Sequence, residues 1–299
     1  MPAARFLMTD PSHYAVRYRI NPWMRPEVWR ADDGALSLRA FAASRRLAGA
    51  LAGLGAAVEW VPAAADLPDL VFPANAGVAL DGKVLAARFR CPERQGEEPL
   101  FRRAFERLAA RGLLREIVDL PPGCFHEGAG DALWDQTRGL IWTGWGQRSD
   151  REAGAAVAAA FGRPVVPLQL ASPRYYHLDT CFRPLDGGHI LYYPPAFTPA
   201  ALAAIRTHAA PDQLIEATDE DAAAFCVNAV NLGADVVMAQ APPPLRERLG
   251  ALGYRVHEID LSPFILSGGA AFCMTLRLDL TSRPMEPHHD RHHDARALA

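Results

Sequence analysis

The sequence predicts an α/β fold in which five similar units close into a ring around a polar centre. Three observations predict it. A helix, a strand, a polar loop and a hairpin recur in the same order along the chain. Glycine-rich and proline-rich loops punctuate every repeat. One polar residue in each loop keeps step: Asn75, Glu127, His177, Asn228 and Cys273 are separated by 52, 50, 51 and 45 residues. A single layer cannot bury both of its faces, and a closed ring of ββαβ-type units removes that difficulty. The rival is an open α/β sheet in which the spacing means nothing; the punctuation at every repeat favours the ring.

The first pass reads as helix 38–55, strand "AVEWV", loop "PDLVFPAN" and hairpin "GVALDGKVLAARF", with Asp81-Gly82 as its turn signal. The second is helical "EEPLFRRAFERLAARG", strand "REIVDL", loop "PPGCFHEGAGD" and the pair "ALWD" and "LIWTGW". The third is "DREAGAAVAAAFG", strand "VVPLQL", loop "ASPRYYHLD" and a hairpin turning at Asp186-Gly187-Gly188. The fourth is "PAALAAIRTHA", strand "LIEAT", a linking stretch ending in "FCVNAV", and strand "DVVMA". The fifth is "PPPLRERLGALG", strand "YRVHEIDL", loop "SPFILSGGAAFC" and strand "MTLRLDL". "RFLMTD" near the N-terminus reads as a strand with no helix of its own, and it completes the fifth unit.

With 299 residues, half of them hydrophobic, the chain is long enough to bury a large core. Residues 1–280 read as one catalytic domain. Residues 281–299, polar and rich in histidine, read as a disordered tail; a metal-binding role for the four histidines is the weaker alternative. A formal charge of −3 gives no electrostatic reason to expect a nucleic acid or a membrane. No charged segment followed by an apolar one opens the chain, and 47–58, its most apolar stretch, is too short to span a bilayer. Five widely spaced cysteines, none in a CxxC pair, suggest reduced thiols in a cytoplasmic protein and argue against structural zinc.

Cys273 lies in "SGGAAFCMTL". By itself it reads as a small apolar filler, since free cysteines are among the most buried residue types. The register of the repeats changes that reading, because it brings His177 and a carboxylate (Glu127, Asp131 or Asp179) into step with the thiol. These are the types needed for nucleophilic catalysis with a shuttling proton. A cysteine needs a base or nearby positive charge to react as thiolate, and a carboxylate on an imidazole fixes its tautomer. No GxSxG, GxGxxG or GxxxxGK[ST] motif is present, which leaves hydrolase-elbow, dinucleotide and P-loop chemistry unsupported.

At this point "HEGAGDAL", "YYHLDT", "LPDLVFPANAG" and "SGGAAFCMTL" together resemble the guanidine-modifying enzyme superfamily. The opening "MTDPSHYAVRYRINPWM" is similar to the start of its amidinotransferase-related hydrolases. The resemblance covers roughly residues 5–280 and implies the five-bladed α/β propeller, or pentein, that the repeat suggests independently. It implies that Cys273 attacks the guanidinium carbon to give a covalent thiouronium. His177 would protonate the departing nitrogen and later activate water. Glu127 and Asp179 would hold the guanidinium by charge-assisted hydrogen bonds, with Asp131 in support. Arg94 and Arg148 match positions that grip a substrate carboxylate, and Arg90 is a weaker third. Asn21 and Phe72 would join the substrate pocket. No metal and no organic cofactor is implied. The expected partner is a small-molecule guanidino substrate, and a homo-oligomer is left open.

Asn75 departs from the aspartate that arginine deiminases carry there. Its amide both donates and accepts, so it gives up attraction for a cation but can also hold a neutral ureido group. "F-x-A-N-A-G" resembles the dihydrolases, which cleave twice to ornithine, ammonia and carbon dioxide. The competing expectations are a dimethylarginine dimethylaminohydrolase or arginine deiminase giving citrulline, an amidinotransferase, and a non-catalytic arginine-binding pentein. Pro73 is a second departure; it fixes φ and removes a donor in that loop.

Overall fold

The computed structural model describes residues 4–282. The predicted tail therefore lies, from residue 283 onward, outside the described residues. Among the described residues, fifteen strands form five three-stranded sheets. The first blade holds β3 (Gly77–Leu80), β4 (Lys83–Ala86) and β5 (Glu116–Val118), and the next β6 (Ala132–Asp135), β7 (Leu140–Trp145) and β8 (Val165–Gln169). Then come β9 (Phe182–Pro184), β10 (Ile190–Tyr192) and β11 (Leu214–Glu216), followed by β12 (Val230–Leu232), β13 (Asp235–Met238) and β14 (Arg255–Glu258). In the fifth sheet β15 (Leu276–Arg277) pairs antiparallel with β1 (Arg5–Thr9), which pairs parallel with β2 (Ala57–Val61). The two ends of the described chain thus share one blade.

Every blade has the same wiring: an antiparallel pair, then a helical crossover to a strand parallel to the second. The helix belongs between the second and third strands, as in the step from β4 through Glu98–Ala110 to β5. Reading the repeat from helix to hairpin therefore straddled two blades. The strand after each helix closes the preceding blade, and the polar loop crosses to the next. "RFLMTD" supplies the middle strand of the fifth blade, as the sequence suggested. "MTLRLDL" contributes only two residues of regular strand, because the pairing beyond passes to single bonds such as Leu278 N–H to Arg5 O.

Local chemistry explains the pieces. Asp81 and Gly82 both have positive φ (55° and 72°), the geometry of the tight hairpin turn that Asp-Gly favours, and Leu80 pairs with Lys83 across it. Helix Glu98–Ala110 buries Phe101, Ala104, Phe105 and Leu108, an i, i+3, i+4, i+7 stripe facing its sheet. Thr218 caps helix Asp219–Ala223 in a reciprocal box with Asp221. Burial falls outward across a blade: β3 is wholly buried, β5 half-buried to exposed. One cavity is lined by residues from the first strand of every blade, which places those strands around the axis. The residues just before those first strands are the ones placed near the axis.

Candidate active site

The five in-step residues all sit immediately before a first strand, three of them in or beside one-turn 3₁₀ segments (Pro73–Ala76, Gly128–Gly130, Leu178–Thr180). Their loops are hydrogen-bonded into a closed circuit. The Asn228 amide donates to Cys273 Sγ (3.0 Å) and to the carbonyl of Asp179 (3.1 Å). His177 Nε2 meets Glu127 Oε2 at 2.7 Å. Asn75 Nδ2 lies 3.5 Å from the Glu127 carbonyl and 3.4 Å from His177 Nδ1. The Ala74 N–H donates to the Cys273 carbonyl at 3.2 Å, which closes the ring. All five in-step side chains are buried. Five loops can come this close only with small residues between them: a Cβ on Gly130 would overlap Asn75 Nδ2.

The thiol is held from two sides. Its Sγ lies 3.1 Å from Asp179 Oδ2, and Asn228 Oδ1 accepts from the N–H groups of Ala270 and Cys273. Burial, with the Asp179 charge beside it, pushes the Cys273 thiol well above its ordinary range. Burial likewise raises Asp179 to about 7. Asp179 Oδ1 is buried without a partner among the described residues, so this carboxylate has one unfilled acceptor beside the sulfur.

The imidazole has a defined tautomer. Burial lowers His177 to about 4 although Glu127 pulls the other way, so the ring is neutral at pH 7. Burial pushes Glu127 up, but Arg148 and His177 outweigh it and hold the carboxyl well below the usual range. An ionised Glu127 requires a proton on Nε2, which leaves the Nδ1 lone pair facing the Asn75 amide nitrogen. Glu127 also accepts from the Arg90 N–H (3.1 Å) and from Arg148 Nη1 (2.9 Å).

Other predicted residues are drawn in on different terms. Arg94 is buried, clamped bidentately by Glu97 (2.8 and 2.9 Å), and donates to Asn75 Oδ1 at 2.7 Å. Arg148 is buried and divides its donors between Glu127 and the Ile20 carbonyl. The Arg90 side chain turns outward to Asp150 and the Arg148 carbonyl, so only its backbone serves the site. Both Asp131 oxygens are occupied, one by the Leu178 N–H (2.9 Å) and one by Ser149 Oγ (2.6 Å), which in turn accepts from the Glu127 N–H. Asp131 thus braces the loops of Glu127 and His177. Asn21 is half-buried and ties its own loop to the Ser267 carbonyl (2.9 Å). Phe72 is a wall, packed edge-on against Tyr14 and Phe264.

Two residues were missed. Asn228 was seen to keep step, but nothing in its neighbours announced a bond to sulfur. Asp69, in the quoted "LPDLVFPANAG", is buried with one oxygen on Tyr18 Oη (3.0 Å) and the other unpartnered among the described residues. Its position six residues before Asn75 in the same loop was the available signal.

A cysteine, an imidazole–carboxylate pair and a second buried carboxylate meeting on the axis of five ββαβ blades define the pentein class of guanidine-modifying enzymes. A profile of the family described as N,N dimethylarginine dimethylhydrolase, eukaryotic, matches residues 20–280, and the chain belongs to that family. The bifunctional arginine dihydrolase/ornithine cyclodeaminase ArgZ of Synechocystis sp. is 40% identical over 274 residues, covering 92% of this chain and 37% of that protein. The chain therefore spans little more than a third of that relative. The N(G),N(G)-dimethylarginine dimethylaminohydrolase of Mycobacterium tuberculosis is 36% identical over 274 residues, covering 92% of this chain and 85% of that protein. The crystal structure of the ArgZ N-terminal domain, an asparagine-to-serine mutant covalently bound to a reaction intermediate, matches with a TM-score of 0.87 and 38% identity, over 94% of this chain and 100% of that one.

Proposed function

We propose that the chain is an arginine dihydrolase: it takes L-arginine and two waters to ornithine, two ammonia and carbon dioxide, through covalent adducts on Cys273. The observation that carries this is the Asn75 amide, set between Arg94 and the Nδ1 of His177 where an acid would hold only a cation. An amide can serve the charged guanidinium of the first round and the neutral ureido group of the second. Likeness to ArgZ, whose N-terminal domain was captured with a covalent intermediate, supports the reading.

In this mechanism the cationic substrate settles against Asp179 and Glu127, and its charge offsets the burial that keeps the thiol protonated. Sulfur attacks the guanidinium carbon, its proton passing to the free Nδ1 of His177. The Nδ1 of His177 carries a proton to the departing nitrogen, which leaves as ammonia, and a thiouronium remains. Water, deprotonated by His177, attacks the same carbon; the C–S bond breaks and the thiol is restored. Arg94 and Arg148 supply positive charge for the substrate carboxylate, and the free oxygen of Asp69 accepts from its ammonium group.

The test is incubation with arginine, dimethylarginine, succinylarginine and agmatine, with mass identification of products and of adducts. Ornithine without accumulating citrulline supports double cleavage; citrulline as the end product favours the dimethylaminohydrolase-like reading, which the family match and the M. tuberculosis relative recommend. Cys273→Ser is expected to retain ligand and lose turnover and adduct together. Turnover surviving that change overturns the assigned nucleophile.

A further inference from the structure

Beyond the candidate active site, along the same axis, a cavity of about 70 Å³ is lined by the first strands themselves. Each blade contributes, through Val78, Leu133, Arg183, Asn231 and Arg277 among others. The catalytic residues precede those strands in the chain, so the cavity lies further along the axis. Its chemistry is unbalanced. The Arg183 guanidinium lies over the Phe272 ring, 4.5 Å from its centroid, and its buried Nε has no hydrogen-bond partner among the described residues. No carboxylate among the described residues lies within ion-pair distance of it. Burial lowers Arg183 only to about 10, so it remains a cation at neutral pH.

One acid of the lining is committed elsewhere, and the other, the exposed Asp186, acts on Arg183 through its field without an ion-pair contact. Asp135 accepts from Arg138 and from Trp142 Nε1, and Asp186 Oδ2 accepts from the Gly233 N–H at 2.7 Å. Arg277 is held to Asp279 through two contacts of 3.3 Å and reaches the Asn231 carbonyl at 3.5 Å. A half-buried guanidinium whose inner Nε–H has no partner among the described residues, beside a second guanidinium, is a cradle for a planar anion, since two parallel N–H donors match a carboxylate fork. The space is large enough for a small ion together with water.

The geometry points to a second binding site on the propeller axis, for a small planar oxyanion of the formate or bicarbonate kind, held by Arg183 and Arg277. The site communicates with the first. Arg183 lies four residues beyond Asp179, whose charge it helps stabilise, and Phe272 directly precedes Cys273. An anion there cancels the positive field reaching Asp179 and weakens its hold on a cationic substrate. This second effect rests on the proposed guanidino chemistry; the binding itself does not.

The test separates them. Line broadening of [13C]formate and [13C]bicarbonate is followed against the full chain at constant ionic strength, with no substrate present. Saturable broadening, weakened at least ten-fold in Arg183→Met, is expected; Met keeps the stack on Phe272 without the charge. Arg277→Met, expected to weaken binding less, carries the test if the first variant does not fold. No broadening, or broadening unchanged in both variants, overturns the site. In turnover assays a saturating anion is expected to raise KM several-fold in the parent and leave Arg183→Met unchanged; an equal effect on both overturns the coupling while leaving the active-site assignment untouched.

Discussion

Asn75→Asp is the most informative single change, because its effect on His177 can be worked from two distances. The Asn75 amide donates toward Nδ1 at 3.4 Å and accepts from Arg94 Nη1 at 2.7 Å. A carboxylate keeps the Arg94 bond but sets an anionic oxygen against the lone pair of Nδ1. The imidazole can answer only by taking a proton. The charge–charge term at 3.4 Å is about 5 kcal/mol at an effective dielectric near 20, and Arg94 already acts on His177 in the parent, so it gives no further offset. That is about three and a half pKa units, which moves His177 from about 4 to above 7. Proton NMR of [13Cε1]-histidine-labelled protein reads the midpoint directly. The stability profile should follow. In the parent, a folded value below the unfolded 6.5 gives a contribution present above pH 6.5 and lost as pH falls toward 4. The variant should lose less over that window. A His177 midpoint within about half a unit of the parent's would refute the tautomer and the contact on which the proposed double cleavage rests.

Further changes probe the rest of the site. Asp179→Asn should flatten the pH dependence of ligand-free stability. A carboxyl raised to about 7 from 3.8 contributes below pH 3.8 and loses that contribution as pH rises through 7, up to about 4 kcal/mol, so the variant should melt a few degrees higher at pH 8. Equal slopes for variant and parent in thermal melts between pH 4 and 8 would count against the assignment. Asn228→Ala strands two backbone N–H groups and the thiol, and urea titration should show a loss of about 2–4 kcal/mol with activity down at least a hundred-fold. A loss below 1 kcal/mol would mean the loops are not joined through that amide. Gly130→Ala drives a methyl into Asn75 Nδ2 and should cut kcat more than ten-fold while circular dichroism stays unchanged. A kcat within two-fold of the parent would show that the contact yields freely.

What could be read from the chain is what local pattern encodes. The Asp81-Gly82 turn, the apolar stripe of Glu98–Ala110 and the register of five polar residues each express themselves within a few residues or at a fixed interval. The phase of the repeat did not, because a helix followed by a strand looks the same whether the strand closes one blade or opens another. The partners of Asp131 lie 18 and 47 residues away, and those of Asn228 up to 49, so no neighbouring sequence announces them. Arg94 was picked out in the sequence as a candidate, whereas its clamp on Glu97 was not; opposite charges three apart usually mark an exposed face, and here both are buried. Asp69 was overlooked because Asn75 already filled the register position of that loop.

The shared first-and-last blade has a consequence for biosynthesis. As the chain leaves the ribosome, imidazole, acids and arginines emerge while β1 has only β2 beside it, and the sulfur follows them, three residues before the strand that docks on the other edge of β1. A fragment stopped short of residue 273 would carry most of the binding groups and no nucleophile. Under the proposed function, reactivity is thus installed by the same zippering event that seals the barrel of blades.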